Sequence, residues 1–144
     1  MYKVMHFVKR KSHLTHEQFR DHFERSHAAL ALKYFGHLFV EYRRNYVNMV
    51  WTGGDARQEG SGYGLKEWDW DLISEWITAD EASYQEIMKF FRNPEIDRFF
   101  YEDEERFMDR STIVDVPCEV RDTGTVFNPK GTVFDTPTGE PRWD

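Results

Sequence analysis

Lys9-Arg10-Lys11-Ser12-His13-Leu14-Thr15-His16-Glu17-Gln18-Phe19, running on to His27-Ala28-Ala29-Leu30, joins an apolar strand to an amphipathic helix that reaches a histidine. Residues 2–8 before it, YKVMHFV, are β-prone and end at the basic turn. Alternation along that strand sets Val4, His6 and Val8 on one face and Met5 and Phe7 on the other. After the turn, Thr15 and Gln18 have the spacing of a capping box, in which each side chain satisfies the other residue's backbone amide. Phe19, Phe23, Ser26 and Leu30 then form one helical stripe. On an ideal α-helical wheel His22 and His27 flank that stripe on opposite sides, so one turn does not aim both at one ion. All 6 histidines (6, 13, 16, 22, 27 and 37) fall in or beside this unit, which makes it the expected seat of proton chemistry near neutral pH.

Working outward, a strand is expected over 41–51, with Tyr42, Arg44 and Tyr46 on one face and Arg43, Asn45 and Val47 on the other. Residues 53–64 hold Gly53, Gly54, Gly60, Gly62 and Gly64 and read as a loop. A phosphate cradle would need a helix after that loop, and a strand follows instead. This third strand, 68–78, sets Asp69, Asp71, Ile73, Glu75 and Ile77 on one face and Trp70, Leu72, Ser74 and Trp76 on the other. Asp80 to Ser83 opens a helix with Tyr84, Ile87, Met88 and Phe91 as its apolar stripe. Asn93-Pro94 breaks it and starts a further helix over 94–110, with Ile96, Phe99, Phe100 and Phe107 as anchors. The acidic run Glu102 to Glu105 reads as a solvated face. A fourth strand is expected over 111–120. Beyond Arg121 the chain turns to Thr, Gly and Pro with little to bury, so residues 1–120 are read as the domain. Residues 121–144 are read as an extension, mobile or packed on a partner subunit.

The order β-α-β-β-α-β is that of an α+β, ferredoxin-like split βαβ unit, a four-stranded antiparallel sheet with helices on one face. Apolar and aromatic residues on both faces of the strands predict a homodimer that covers the open face, a dimeric α+β barrel with a ligand space between the two sheets. The 144 residues make one domain, and 12 Phe, 7 Tyr and 5 Trp exceed what a small core needs, which suggests a ring-lined contact or cavity. The net charge of −7 and the single short basic cluster argue against nucleic acid and against an anionic membrane surface. No apolar run is long enough to span a bilayer. The first residues enter a strand without signal-peptide layout, and a lone cysteine, Cys118, forms no internal disulfide or multi-cysteine metal site, so a cytoplasmic setting is expected.

Several segments together resemble the EthD family of dimeric α+β barrel proteins. They are Phe7-Val8-Lys9-Arg10-Lys11, Leu14 to Phe19, His27-Ala28-Ala29-Leu30, Tyr42-Arg43-Arg44-Asn45, Asp71 with Glu75-Trp76, and Asp103 to Asp109. Ala29 departs from the family, which commonly has proline after His-Ala. The resemblance implies a small, cofactor-free protein acting on a hydrophobic, often aromatic or polyketide-like, molecule.

His27 is the first expected general base or acid, because an imidazole carries protons either way near neutral pH. Its alternative reading is a helix-end histidine interacting with the helix dipole. Asp71 and Glu75 share a strand face about 13 Å apart by strand rise, too far to share a proton. Each is either catalytic or simply held by Arg43, Arg44 or Lys9. Tyr46 is a candidate proton donor to a departing hydroxyl, and Asn45 and Tyr42 are candidate substrate contacts. His6 either faces the cavity or is a satisfied core histidine, and Trp76 faces the helices by alternation. No HExxH or H-x-H pattern supports a metal, and no cofactor is expected. The reading is a lyase or isomerase of the dehydratase type acting on a hydrophobic cyclic or aromatic small molecule. Its alternatives are a cofactor-independent monooxygenase and a non-catalytic hydrophobic-ligand-binding protein.

Overall fold

The computed structural model describes residues 1–47, 69–122, 124, 125, 127, 128 and 130. Four strands, β1 (Tyr2–Val8), β2 (Phe39–Tyr46), β3 (Leu72–Thr78) and β4 (Val114–Cys118), form one sheet in the order β2-β3-β1-β4. Every neighbouring pair is antiparallel. This is the expected α+β ferredoxin-like arrangement. The glycine-rich loop 53–64, the far end of the second expected strand and most of 121–144 lie outside the described residues. Within the description, β2 begins two residues earlier than expected. The fourth strand is shorter than its expected 111–120, because a 3-10 turn, Arg110–Thr112, precedes it.

Cross-strand register sets the two faces. Val4 lies opposite Trp76, His6 opposite Ser74 and Val8 opposite Leu72, while Tyr42, Arg44 and Tyr46 of β2 meet the same three β3 residues. This face is covered by helices. Lys3, Met5, Phe7, Arg43, Asn45, Ile73, Glu75, Val114 and Val116 line up on the other.

The first helical region is longer and less regular than one α-helix. It comprises α1 (His16–His22), a π turn (Phe23–His27) and α2 (Ala28–Phe35). The capping box is present: Gln18 N–H donates to Thr15 Oγ1 at 3.1 Å, and Thr15 N–H donates to Gln18 Oε1 at 2.9 Å. Thr15→Ala is expected to cost about 1 kcal/mol in chemical denaturation, because an orphan helix amide loses its acceptor. A loss within error of zero would show that the cap is redundant. Two further helices, α3 (Glu81–Arg92) and α4 (Pro94–Phe107), start on side-chain caps from Asp80 and Asn93.

Two apolar clusters fill the space between helices and sheet. One gathers Val8, Phe19, Phe23, Ala28, Leu72, Phe107 and Met108, and the other gathers Ala31, Phe35, Ile87 and Phe100 with partly buried rings around them. The expected solvated face at Glu102 to Glu105 is not uniform: Asp103 is buried, at 2% exposure. Spacing explains this, since Phe100, Asp103 and Phe107 follow one another at three and four residues and share α4's inner stripe.

Candidate active site

His27 sits at the seam between the two clusters. Its ring contacts Phe23 and Phe107 on one side and meets Phe100 edge-on at 5.9 Å on the other. His27 is 8% exposed, and its Nδ1 lies 3.1 Å from Asp103 Oδ2. A carboxylate only accepts, so Nδ1 carries the proton and Nε2 of the neutral ring is left as a base. Asp103 also accepts from Ser26 Oγ at 2.7 Å and lies 2.9 Å from His22 Nε2.

The wheel argument that separates His22 from His27 therefore fails in the folded chain. In an α-helix residues five apart differ by about 140°. Here the Ala28 N–H reaches back to Phe23 C=O, an i→i+5 bond, and the wider turn brings residues 22 and 27 onto nearly one face. Both imidazoles then converge on one carboxylate.

Burial alone would raise the Asp103 pKa, but hydrogen bonds from His27, Ser26 and His22 outweigh it and hold the carboxyl down at about 2. A depressed carboxylate pKa stabilises the native state above the unfolded value, and that stabilisation is lost as pH falls through the folded value. The protein should thus lose about 2 kcal/mol through this group between roughly pH 4 and pH 2. Urea midpoints measured across that window should fall more steeply for the wild type than for Asp103→Asn. Parallel curves would remove Asp103 as the cause.

A cavity of about 320 Å³ opens between the helices and the covered sheet face. His27, Phe23, Ala31 and Phe35 line it from the first helical region, Met88, Phe91 and Phe100 from α3 and α4, and His6, Tyr42, Ser74 and Trp76 from the sheet. Apolar and aromatic side chains make up somewhat more than half of the wall, and Asp97, Glu104, Arg110 and Asp115 add charged groups to it. The His6 ring lies 4.1 Å from Trp76, and His6 Nδ1 is 2.5 Å from Asp115 Oδ1. Tyr42 comes close enough to Ser74 to feel its hydroxyl, but the two form no hydrogen bond. Burial pushes the Tyr42 phenol well above its ordinary pKa, so it stays protonated.

Of the sequence-derived set, His27, His6, Tyr42 and Trp76 come together around this cavity. Glu75, Asp71, Tyr46 and Asn45 do not join them. Glu75 is on the opposite sheet face, ion-paired with Lys3 and accepting from Asn45 Nδ2 at 2.8 Å, and these two contacts, Lys3 first, hold its pKa below the usual range. Asp71 is buried at the strand-to-helix turn, accepting from the Arg10 backbone N–H at 2.8 Å with His16 Nδ1 also 2.8 Å away. It fastens the connection between β1 and α1. The Tyr46 hydroxyl donates to Glu24 Oε1 at 2.7 Å, and Arg44 grips the same carboxylate through two nitrogens at 2.9 Å. Burial, then that bond, raises the Tyr46 pKa, which makes it a poor proton donor. The cavity that His27 lines also lies within one chain, between helices and sheet, and not on the open sheet face where a second sheet would close over it.

The EthD domain model matches residues 11–111. The chain belongs to the EthD family. That match covers the π turn and Asp103 of this EthD protein, so His27 and its carboxylate partner both lie inside the family domain. A crystal structure of an EthD-family protein from Bacillus halodurans aligns with a TM-score of 0.54 at 16% identity, over 84% of this chain and 100% of that one. A structure from Arabidopsis thaliana aligns with a TM-score of 0.54 at 10% identity, over 87% of this chain and 100% of that one. At these identities the likeness is one of fold. No curated protein matches the chain. Among the described residues no helix is long and apolar enough to cross a membrane.

The residues that sequence reasoning missed are Asp103, His22, Ser26, Ser74 and Asp115. Asp103 had a signal, its place in the Phe100–Phe107 stripe. Asp115 had none, because only the β1–β4 register sets it opposite His6.

Proposed function

We propose that this EthD protein is a cofactor-independent lyase or isomerase of the dehydratase type, acting on a hydrophobic cyclic or aromatic molecule with His27 as its base. One observation carries the reading: His27 is fixed through Nδ1 by a buried carboxylate while it lines a cavity walled largely by aromatic rings. A histidine held in one tautomer by an aspartate presents its second nitrogen to a substrate proton. The cavity volume suits a fused bicyclic compound.

In such an elimination Nε2 takes the proton from the carbon next to a carbonyl, and the C–H electron pair delocalises onto the carbonyl oxygen as an enolate. The enolate re-forms its carbonyl as the C–O bond to the β-hydroxyl breaks, and the imidazolium proton leaves with that oxygen as water. His27 thus serves both steps, and neither Tyr46 nor Glu75 is required. Asp103 steadies the transient imidazolium charge.

The same reading includes a homodimer formed through the open sheet face. Met5, Phe7, Ile73, Val114 and Val116 supply its apolar surface, with Val114 at 42% and Val116 at 37% exposure in the single chain. Glu75 and Asn45 would then be interface groups.

The test uses β-hydroxy-α-tetralone, which loses water to give a ketone that tautomerises to α-naphthol. Purified protein should accelerate α-naphthol formation without oxygen uptake, and His27→Ala should not. Equal rates for the two proteins overturn the base assignment. Oxygen consumption coupled to turnover would replace the lyase with a monooxygenase.

A further inference from the structure

Two buried polar atoms in the cavity wall have no hydrogen-bond partner: His6 Nε2 and Ser74 Oγ. They belong to directly opposed residues of β1 and β3, and both residues line the cavity. Ser74 is 2% exposed, and the His6 side chain is 12% exposed. Such atoms have lost their water and gained nothing in return, so two of them on opposed residues of a cavity wall mark a place built for a polar group of a ligand.

The chemistry of the pair names that group. Asp115 accepts from Nδ1–H of His6, so Nε2 of the neutral ring is an acceptor. The Ser74 hydroxyl is free to donate. One acceptor beside one donor complements a hydroxyl oxygen on an sp² carbon, which gives its own proton to Nε2 and takes one from Ser74. Trp76, against the His6 ring, offers a flat surface to the ring that bears this oxygen.

We propose that His6 and Ser74 form a subsite for the phenol or enol oxygen of an aromatic ring ligand. The proposal rests on the cavity being the reaction site, and it specifies the ligand there: a ring compound whose oxygen is phenolic or enolic. His6 is a ligand-binding residue in this arrangement, and Asp115 is a positioning residue that sets its tautomer.

The test compares α-naphthol with α-fluoronaphthalene, a near-isostere lacking the O–H, by titration calorimetry. Wild type should bind α-naphthol roughly tenfold or more tightly than the fluoro compound. In His6→Phe that preference should fall to roughly threefold or less, with fluoronaphthalene still bound, because the O–H loses the nitrogen it donates to. Ser74→Ala removes an unpaired buried hydroxyl and should fold at least as well as wild type, and it should bind α-naphthol roughly threefold or more weakly than wild type does. No preference in wild type, or α-naphthol held as tightly by Ser74→Ala as by wild type, overturns the subsite. The two readings fail separately. A hydroxyl preference that holds while His27→Ala turns over β-hydroxy-α-tetralone normally spares the subsite and removes the base. Its absence alongside a His27-dependent reaction does the reverse.

Discussion

His27→Ala should lower the turnover of β-hydroxy-α-tetralone by roughly 10²–10⁴-fold, the usual share of a positioned general base. The fold should survive, because Asp103 keeps Ser26 and His22 as partners after the imidazole is gone. The sharper variant is His27→Gln. Its amide can still donate to Asp103 but has no basic nitrogen, so it separates support of the carboxylate from proton transfer. Activity should be lost in both variants, and the loss should sit in kcat as well as kcat/KM, since the base acts in the transition state. A His27→Gln protein that keeps near-wild-type turnover would reduce the histidine to a structural partner of Asp103.

The second large effect belongs to the core. Phe35 is fully buried, stacks on Phe100 at 5.5 Å and meets Phe39 edge-on, with Trp76, Phe90 and Phe91 also in ring contact. Phe35→Ala should cost about 3–5 kcal/mol, from lost transfer energy and from the void that five rigid neighbours cannot close. For a domain of this size the melting temperature should fall by roughly 10–15 °C. Phe35 also lines the cavity, so the variant that still folds should accept a bulkier ring ligand than the wild type. A loss below about 1 kcal/mol would mean that the neighbouring rings collapse into the space.

Local rules account for what could be read in advance. The capping box, the period-two faces of β1 and β3, and the Asn93-Pro94 break depend on residues close together in the chain, and each appears as expected. The placing of His6, Tyr42 and Trp76 on the helix side follows from the same alternation. The site's partners obey no such rule. Asp103 lies 76 residues from His27, inside a charged run from which only its helical phase sets it apart. His22 was misplaced because an ideal wheel has no way to represent an i→i+5 turn. Tyr46, Glu75 and Asp71 looked available because chemistry of the right kind is visible in a sequence, whereas the Arg44–Glu24, Lys3 and Arg10 contacts that occupy them are not.

The π turn has a consequence for comparing this chain with its relatives. Kept at the same length but wound as an unbroken α-helix, this segment would leave His22 and His27 about 140° apart, and only one of the two imidazoles would reach Asp103. Removing one residue between them would instead set them four apart, about 40° on the same wheel, and keep both rings on the carboxylate. A relative with the shorter spacing can therefore present the same pair from a plain α-helix, whereas the five-residue spacing needs the wider turn. Aligning relatives on these two rings, ahead of overall similarity, would separate chains that gather both on one acid from chains that share only the scaffold.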